Sequence, residues 1–181
     1  MLRVATKLMV AVGVLAFVGL LISSLSSSES VSTDLPSMLV DTSGIDHGQV
    51  EYTVWHGRPI LIYRRTVDDR QVLRHVTRNL VDAESKHSIQ PDFPNLPLRS
   101  LSPEWFVAFS SGTDMGCPIE LHAASTEPSG ELVAGRFSDT CRGSSYDLAG
   151  RVYSDQPATK NLAVPPYSIK PDGNILLGGV L

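Results

Sequence analysis

Two short Gly-rich loops carry the only cysteines of this 181-residue chain. Cys117 closes Gly112-Thr113-Asp114-Met115-Gly116-Cys117, and Cys141 lies in Asp139-Thr140-Cys141-Arg142-Gly143-Ser144-Ser145-Tyr146-Asp147. A cysteine pair can bind metal as thiolates, exchange electrons as a dithiol or close a disulfide, and the compartment decides among these. The other donors in reach are Asp114, Asp139 and His122, a hard and sparse set without diagnostic metal spacing. Arg142 is a permanent cation and cannot ligate. Gly116 and Gly143 fit tight turns inside the loops. No nucleophile elbow, H-E-x-x-H pair or phosphate-binding glycine loop occurs. Whatever chemistry the chain performs is therefore sought at the two loops.

These loops resemble those of Rieske iron-sulfur proteins, C-T-H-L-G-C and C-P-C-H-G-S-x-Y-D, whose first Cys and His each ligate iron in a two-iron, two-sulfur cluster. Thr113, Gly116 and Cys117 agree with the first pattern; Cys141, Gly143, Ser144, Tyr146 and Asp147 agree with the second. The ligand positions differ. Gly112 and Asp114 stand for Cys and His in the first loop, Asp139 and Arg142 in the second. The resemblance implies that the cluster is lost, leaving no cofactor, and that Cys117 and Cys141 form the disulfide of the respiratory, ubiquinol-cytochrome c reductase branch. It also implies that Asp114, Asp139 and Arg142 converge, so Arg142 is expected to pair with Asp114 or Asp139. The alternative is that all three face solvent at the loop tips. Ser144 and Tyr146, which tune the cluster in the family, become fold relics or partners of water.

The elements that position the loops extend the resemblance. Val50 to Trp55 and Ile60 to Tyr63 read as a hairpin around His56-Gly57-Arg58-Pro59, much like the opening hairpin of the family, and His56 reads as an exposed turn residue. Val67 to Leu80 suggests a short helix, and Asp92 to Pro97 a loop. Arg64, Arg65, Arg70, Arg74 and Arg78 lie in or beside that helix and read as a solvated face rather than a site for an acidic partner. Ser102-Pro103-Glu104-Trp105 resembles the family's entry to the first loop and leads a buried strand to Phe109. A strand is expected over Glu131 to Phe137 after a turn at Glu127 to Gly130. Gln156-Pro157-Ala158-Thr159-Lys160-Asn161-Leu162 resembles the family's Pro-rich cluster cover with half its rigid residues. Closing strands fall over Ala163 to Ile169 and Asn174 to Leu181. The predicted architecture is an all-β, Rieske-like antiparallel β-sandwich head over 38–181.

The head is preceded by an apolar run from Leu8 to Ile22 with Arg3 and Lys7 before it and no Lys or Arg again until Arg58. Such a run is a membrane anchor or a secretory signal. The serines after it offer no A-x-A cleavage site, which favours a single transmembrane helix over 1–25, contacting lipid. The charge bias puts the N-terminus in the cytoplasm and the head in the periplasm of a bacterial inner membrane, where a disulfide persists. A flexible tether is expected over 26–37. Bacterial Rieske subunits usually carry a twin-Arg export signal for a domain already folded on its cluster. Here only Arg3 is present, in keeping with a head that crosses unfolded.

A net charge of −4 and scattered basic residues argue against nucleic acid as a partner. The resemblance implies a cluster-free, membrane-anchored subunit packed on a respiratory electron-transfer complex, with a structural, assembly or regulatory role. The quinol-cytochrome c oxidoreductase activity of the family is not carried over with the fold. Two alternatives are an independent periplasmic binding or assembly protein, and a redox enzyme using Cys117 and Cys141 as a dithiol.

Overall fold

The computed structural model describes residues 36–181 except 76–78, 93–95, 127, 131 and 179–181, together with Lys7, Met9, Val12, Gly13, Val14, Phe17 and Val18. The chain divides into units of Met1–Asp34 and Leu35–Leu181. In the first unit the described residues have helical backbone, and Met9, Val12, Val14, Phe17 and Val18 are exposed. The rest of the expected anchor and nearly all of the tether lie outside the described residues. Among the described residues, no helix is long and apolar enough to cross a membrane.

Among the described residues the second unit holds three antiparallel three-stranded sheets and a two-stranded ribbon, in keeping with the expected all-β head. The first sheet holds β2 (Val50–Trp55), β3 (Arg58–Arg64) and β4 (Trp105–Phe109) in that order, and the shorter β1 (Met38–Val40) joins the last sheet. The β2–β3 hairpin turns through His56 and Gly57, whose φ angles of 50° and 72° suit a two-residue hairpin loop. His56 is exposed, as expected. Pro59, expected in the turn, lies inside β3 opposite Val54. Its carbonyl still joins the ladder, accepting from Ser110 N at 2.8 Å, and the missing N–H is tolerated near the start of the strand. Every residue of β4 is buried, and its outer edge is covered where Phe109 N donates to Ala163 O at 2.9 Å.

Between β3 and β4 runs α1 (Val67–His75). Its first turn is closed reciprocally: Asp69 N donates to Thr66 Oγ1 at 3.1 Å, and Thr66 N donates to Asp69 Oδ2 at 2.8 Å. The helix ends before Leu80, which instead bridges Tyr153. The second sheet runs β5 (Ile119–His122), β8 (Arg136–Asp139), β9 (Ser145–Tyr146). Where one strand was expected from Glu131 to Phe137, two appear: β7 (Leu132–Val133) pairs with β6 (Ser125–Thr126), and β8 begins at Arg136. The third sheet places β11 (Ile175–Leu177) between β1 and β10 (Tyr167–Ile169), so the start and end of the unit are joined.

One core joins the sheets, with Ile60, Phe106, Phe137, Tyr146, Tyr167 and Ile175 fully enclosed. Phe137 packs against both Tyr63 and Phe106. Arg65 corrects the solvated-face reading. It is 0% exposed, and its guanidinium donates to Leu148 O, Ser100 Oγ and Leu98 O at 2.8–3.0 Å. Strand alternation carries past the end of β3, so Arg64 turns outward to Glu104 at 2.7 Å while Arg65 turns into the core. Burial pushes the Arg65 pKa down to about 10. Arg74 is exposed and Arg70 half-buried, while Arg78 lies outside the described residues.

Candidate functional site

Both Gly-rich loops leave the same end of the second sheet because Ile119 pairs with Asp139 across β5 and β8. The first loop is pinched by a bridge between Ser111 and Pro118. Inside it Gly112 N donates to Cys117 O at 2.7 Å and Gly116 N donates to Gly112 O at 3.0 Å. The second loop is closed by Asp139 N donating to Ser144 O at 2.9 Å. Gly116 and Gly143, with φ of 72° and 71°, hold the left-handed turn positions expected of them. Thr140 N donates to Pro118 O at 3.0 Å, and a disulfide between Cys117 and Cys141 joins the loops.

Asp139 is the electrostatic centre of the second loop. Oδ1 accepts from the backbone N–H groups of Cys141, Arg142 and Gly143, and Oδ2 from that of Ser144, at 2.7–3.1 Å. The residue is 4% exposed. Burial would raise its carboxyl, but the amides of Arg142, Ser144 and Cys141 and the Ser144 hydroxyl outweigh it. The group is held below the usual carboxylate value. Gly112 lies against this residue: a Cβ there would meet Asp139 Cβ at 3.2 Å.

Arg142 pairs with Asp114, not Asp139. Its Nη1 lies 2.8 Å from Asp114 Oδ2, with side chains 50% and 25% exposed. Asp114, Asp139 and Arg142 thus do come together, divided between an internal carboxylate and a loop-tip ion pair. His122 lies apart on β5, with Nε2 2.7 Å from Ser138 Oγ.

A third segment, 156–162, closes the site through contacts that its prolines do not announce. Thr113 Oγ1 donates to Lys160 O at 2.6 Å, Ala158 N donates to Ser144 Oγ at 3.1 Å, and Ser145 N donates to Gln156 Oε1. Asn161 pins the segment below: Nδ2 donates to Asp82 O and Ser85 Oγ, and Oδ1 accepts from Val152 N. Arg99 adds Nη2 to Leu162 O at 2.7 Å and Nη1 to the carbonyls of Ala149 and Gly150. No local pattern marks Arg99. Asn161 sat in a stretch noted only for its prolines. Tyr146 and Ser144 are not idle relics: Thr113 N donates to Tyr146 Oη at 3.2 Å, and Ser144 Oγ receives the segment's amide.

The donor set does not fit a two-iron, two-sulfur cluster. Such a cluster needs thiolate and imidazole ligands. Neither loop contains a His, both cysteines are spent in the disulfide, and both oxygens of Asp139 are spent on amides.

Comparison with known proteins places this frame. The chain is 33% identical over 139 residues to the ubiquinol-cytochrome c reductase iron-sulfur subunit of Allochromatium vinosum, covering 76% of this chain and 67% of that protein. It is 36% identical over 158 residues to the mitochondrial cytochrome b-c1 complex subunit Rieske-1 of Arabidopsis thaliana, covering 87% and 51%. Against subunit Rieske-4 of Nicotiana tabacum it is 37% identical over 155 residues, covering 86% and 58%. The chain belongs to the Rieske iron-sulfur protein family, in the branch of ubiquinol-cytochrome c reductase subunits. It spans about half to two thirds of the length of these relatives. A chain of a solved hyperthermophilic respiratory complex III aligns over 97% of this chain with a TM-score of 0.45 and 18% identity, too low to add to the assignment. No family model matches.

Proposed function

We propose that this protein is a cluster-free Rieske-like subunit of a membrane respiratory electron-transfer complex, with a structural, assembly or regulatory role. One observation carries the reading. The frame of the cluster loops persists, while Asp139, at the position the resemblance gives to a ligand Cys, devotes its carboxylate to the loop's own amides. Gly112, Asp114 and Arg142 fill the other three former ligand positions, and none supplies a thiolate or imidazole. An electron carrier needs a redox centre, and this donor set offers none of the family's kind. What the head retains is a shaped, disulfide-braced surface suited to contact with other proteins.

The kinship with ubiquinol-cytochrome c reductase and cytochrome b-c1 subunits supports a respiratory complex as the partner. The apolar run from Leu8 to Ile22 supports a single-pass anchor in contact with lipid, and the positions of Arg3 and Lys7 support a cytoplasmic N-terminus and a periplasmic head. The test is to tag the full-length chain in its host, extract it in mild detergent and identify what co-purifies. Cytochrome b and cytochrome c1 subunits in fixed ratio to the chain are the expected result. A chain that elutes alone, with complex III assembly unchanged by its deletion, would favour an independent periplasmic protein.

A further inference from the structure

We propose that the second loop is a latent anion-binding nest for a small carboxylate, closed in this protein by its own Asp139, and that this internal anion organises the loop in place of a metal centre. The inference deepens the cluster-free reading and rests on it. Four consecutive backbone N–H groups, those of Cys141, Arg142, Gly143 and Ser144, converge on one carboxylate at 2.7–3.1 Å. Successive amides turned to a common point form an anion-binding concavity, and a loop of this shape without an anion would leave its donors facing one another. The carboxylate itself is enclosed, Asp139 being 4% and Ser144 0% exposed, while Cys141, Arg142 and Gly143 form the exposed rim of the loop. A neutral or absent side chain would therefore leave the buried Ser144 N–H unpaired and turn the other three over to water.

Two further contacts show that the surroundings are built to the carboxylate. Gly112 has no side chain where a Cβ would come within 3.2 Å of Asp139 Cβ, so the first loop makes room for Asp139 at the distance where another residue would press on it. Ser144 takes the amide of Ala158 on its Oγ at 3.1 Å and gives its own amide to Asp139 Oδ2 at 3.0 Å, coupling the covering segment to the carboxylate. Arg142 contributes its amide to the nest, whereas its guanidinium leaves for Asp114. The nest therefore depends on backbone donors rather than on a basic side chain. That favours a small planar anion of carboxylate size over a polyanion.

The test uses the full-length chain in mild detergent with Asp139→Ala, which removes the carboxylate but keeps Cβ, and sodium formate as the probe. Hydrogen-deuterium exchange over 139–146 should accelerate roughly tenfold or more in the variant, the scale of one lost charge-assisted hydrogen bond. Formate should restore protection and raise the melting temperature of the variant, with no effect on wild type, while equal sodium chloride does not match it. If Asp139→Ala folds only when refolded in formate, the same conclusion follows. Asp139→Asn, which keeps the one oxygen that takes three of the amides but presents an N–H to Ser144 N, should show an intermediate loss that formate does not repair. Unchanged exchange in Asp139→Ala, or acceleration that formate leaves untouched, overturns the nest. Iron in the wild-type protein alongside formate rescue of the variant would instead remove the cluster-free reading and leave the nest standing.

Discussion

Two Arg–Asp contacts of nearly equal length make opposite predictions. Arg142 Nη1 lies 2.8 Å from Asp114 Oδ2, and Arg151 Nε lies 2.7 Å from Asp147 Oδ2. The first pair is 50% and 25% exposed and the second 2% and 5% exposed. At the loop tip water screens the charges and two long side chains must be held still, so Arg142→Ala should cost about 0.2 to 1 kcal/mol. In the core, Arg151→Ala leaves the Asp147 carboxylate to the amides of Ala149 and Arg151, and it frees Leu73 O from the guanidinium. Breaking such a pair from one side costs about 3 to 5 kcal/mol. Arg74→Ala on the exposed face of α1 is the control, since Arg70 donates Nε to Thr66 O and is only half-exposed. Urea unfolding of the full-length chain, followed through buried Trp55 and Trp105, gives the differences from midpoints at constant slope. A loss above 2 kcal/mol in Arg142→Ala, or below 1 kcal/mol in Arg151→Ala, would refute the burial argument.

Asp139→Asn should cost about 2 to 4 kcal/mol at pH 7, because three charge-assisted bonds become neutral and the Ser144 amide faces a donor. The native carboxyl is held below its unfolded value, so its contribution is fully present above the unfolded pKa and fades as pH falls through the native one. The gap between wild type and variant should therefore close in strong acid. Arg142, Asp114 and Tyr146 around it are common to both proteins, and a gap independent of pH would contradict the assignment. Gly150→Ala should cost about 2 to 5 kcal/mol. At φ 68° its new Cβ would lie 2.6 Å from Phe106 Cζ, and a stability within 0.5 kcal/mol of wild type would count against that packing. Replacing Cys117 and Cys141 together by Ser should cost about 3 to 4 kcal/mol for a closure of this length, without abolishing folding, because the β5–β8 pairing still holds the loops. Loss of the folded state would refute the second half of that statement.

The sequence revealed the parts of the molecule governed by local patterns. The β2–β3 hairpin follows from alternation and the His56-Gly57 turn, β4 from an unbroken apolar run, and the loops from their motifs. Partner choice inside the loops was only half legible. Arg142 could reach either Asp, and the outcome depends on Asp139 being enclosed by backbone amides that have no sequence signature. Arg65 looked like one more charge beside a helix. Its burial depends on carbonyls from Leu98 and Leu148, distant in sequence, and only the folded chain brings them together. Pairing of β1 with β11 is likewise a long-range event.

The measurement closest to the central claim is the iron and acid-labile sulfide content of the full-length chain, purified in mild detergent from its own host and examined by electron paramagnetic resonance after reduction. The account predicts a colourless protein, iron and sulfide far below one cluster per chain, and no Rieske signal. Two irons and two sulfides per chain with a Rieske spectrum would contradict it.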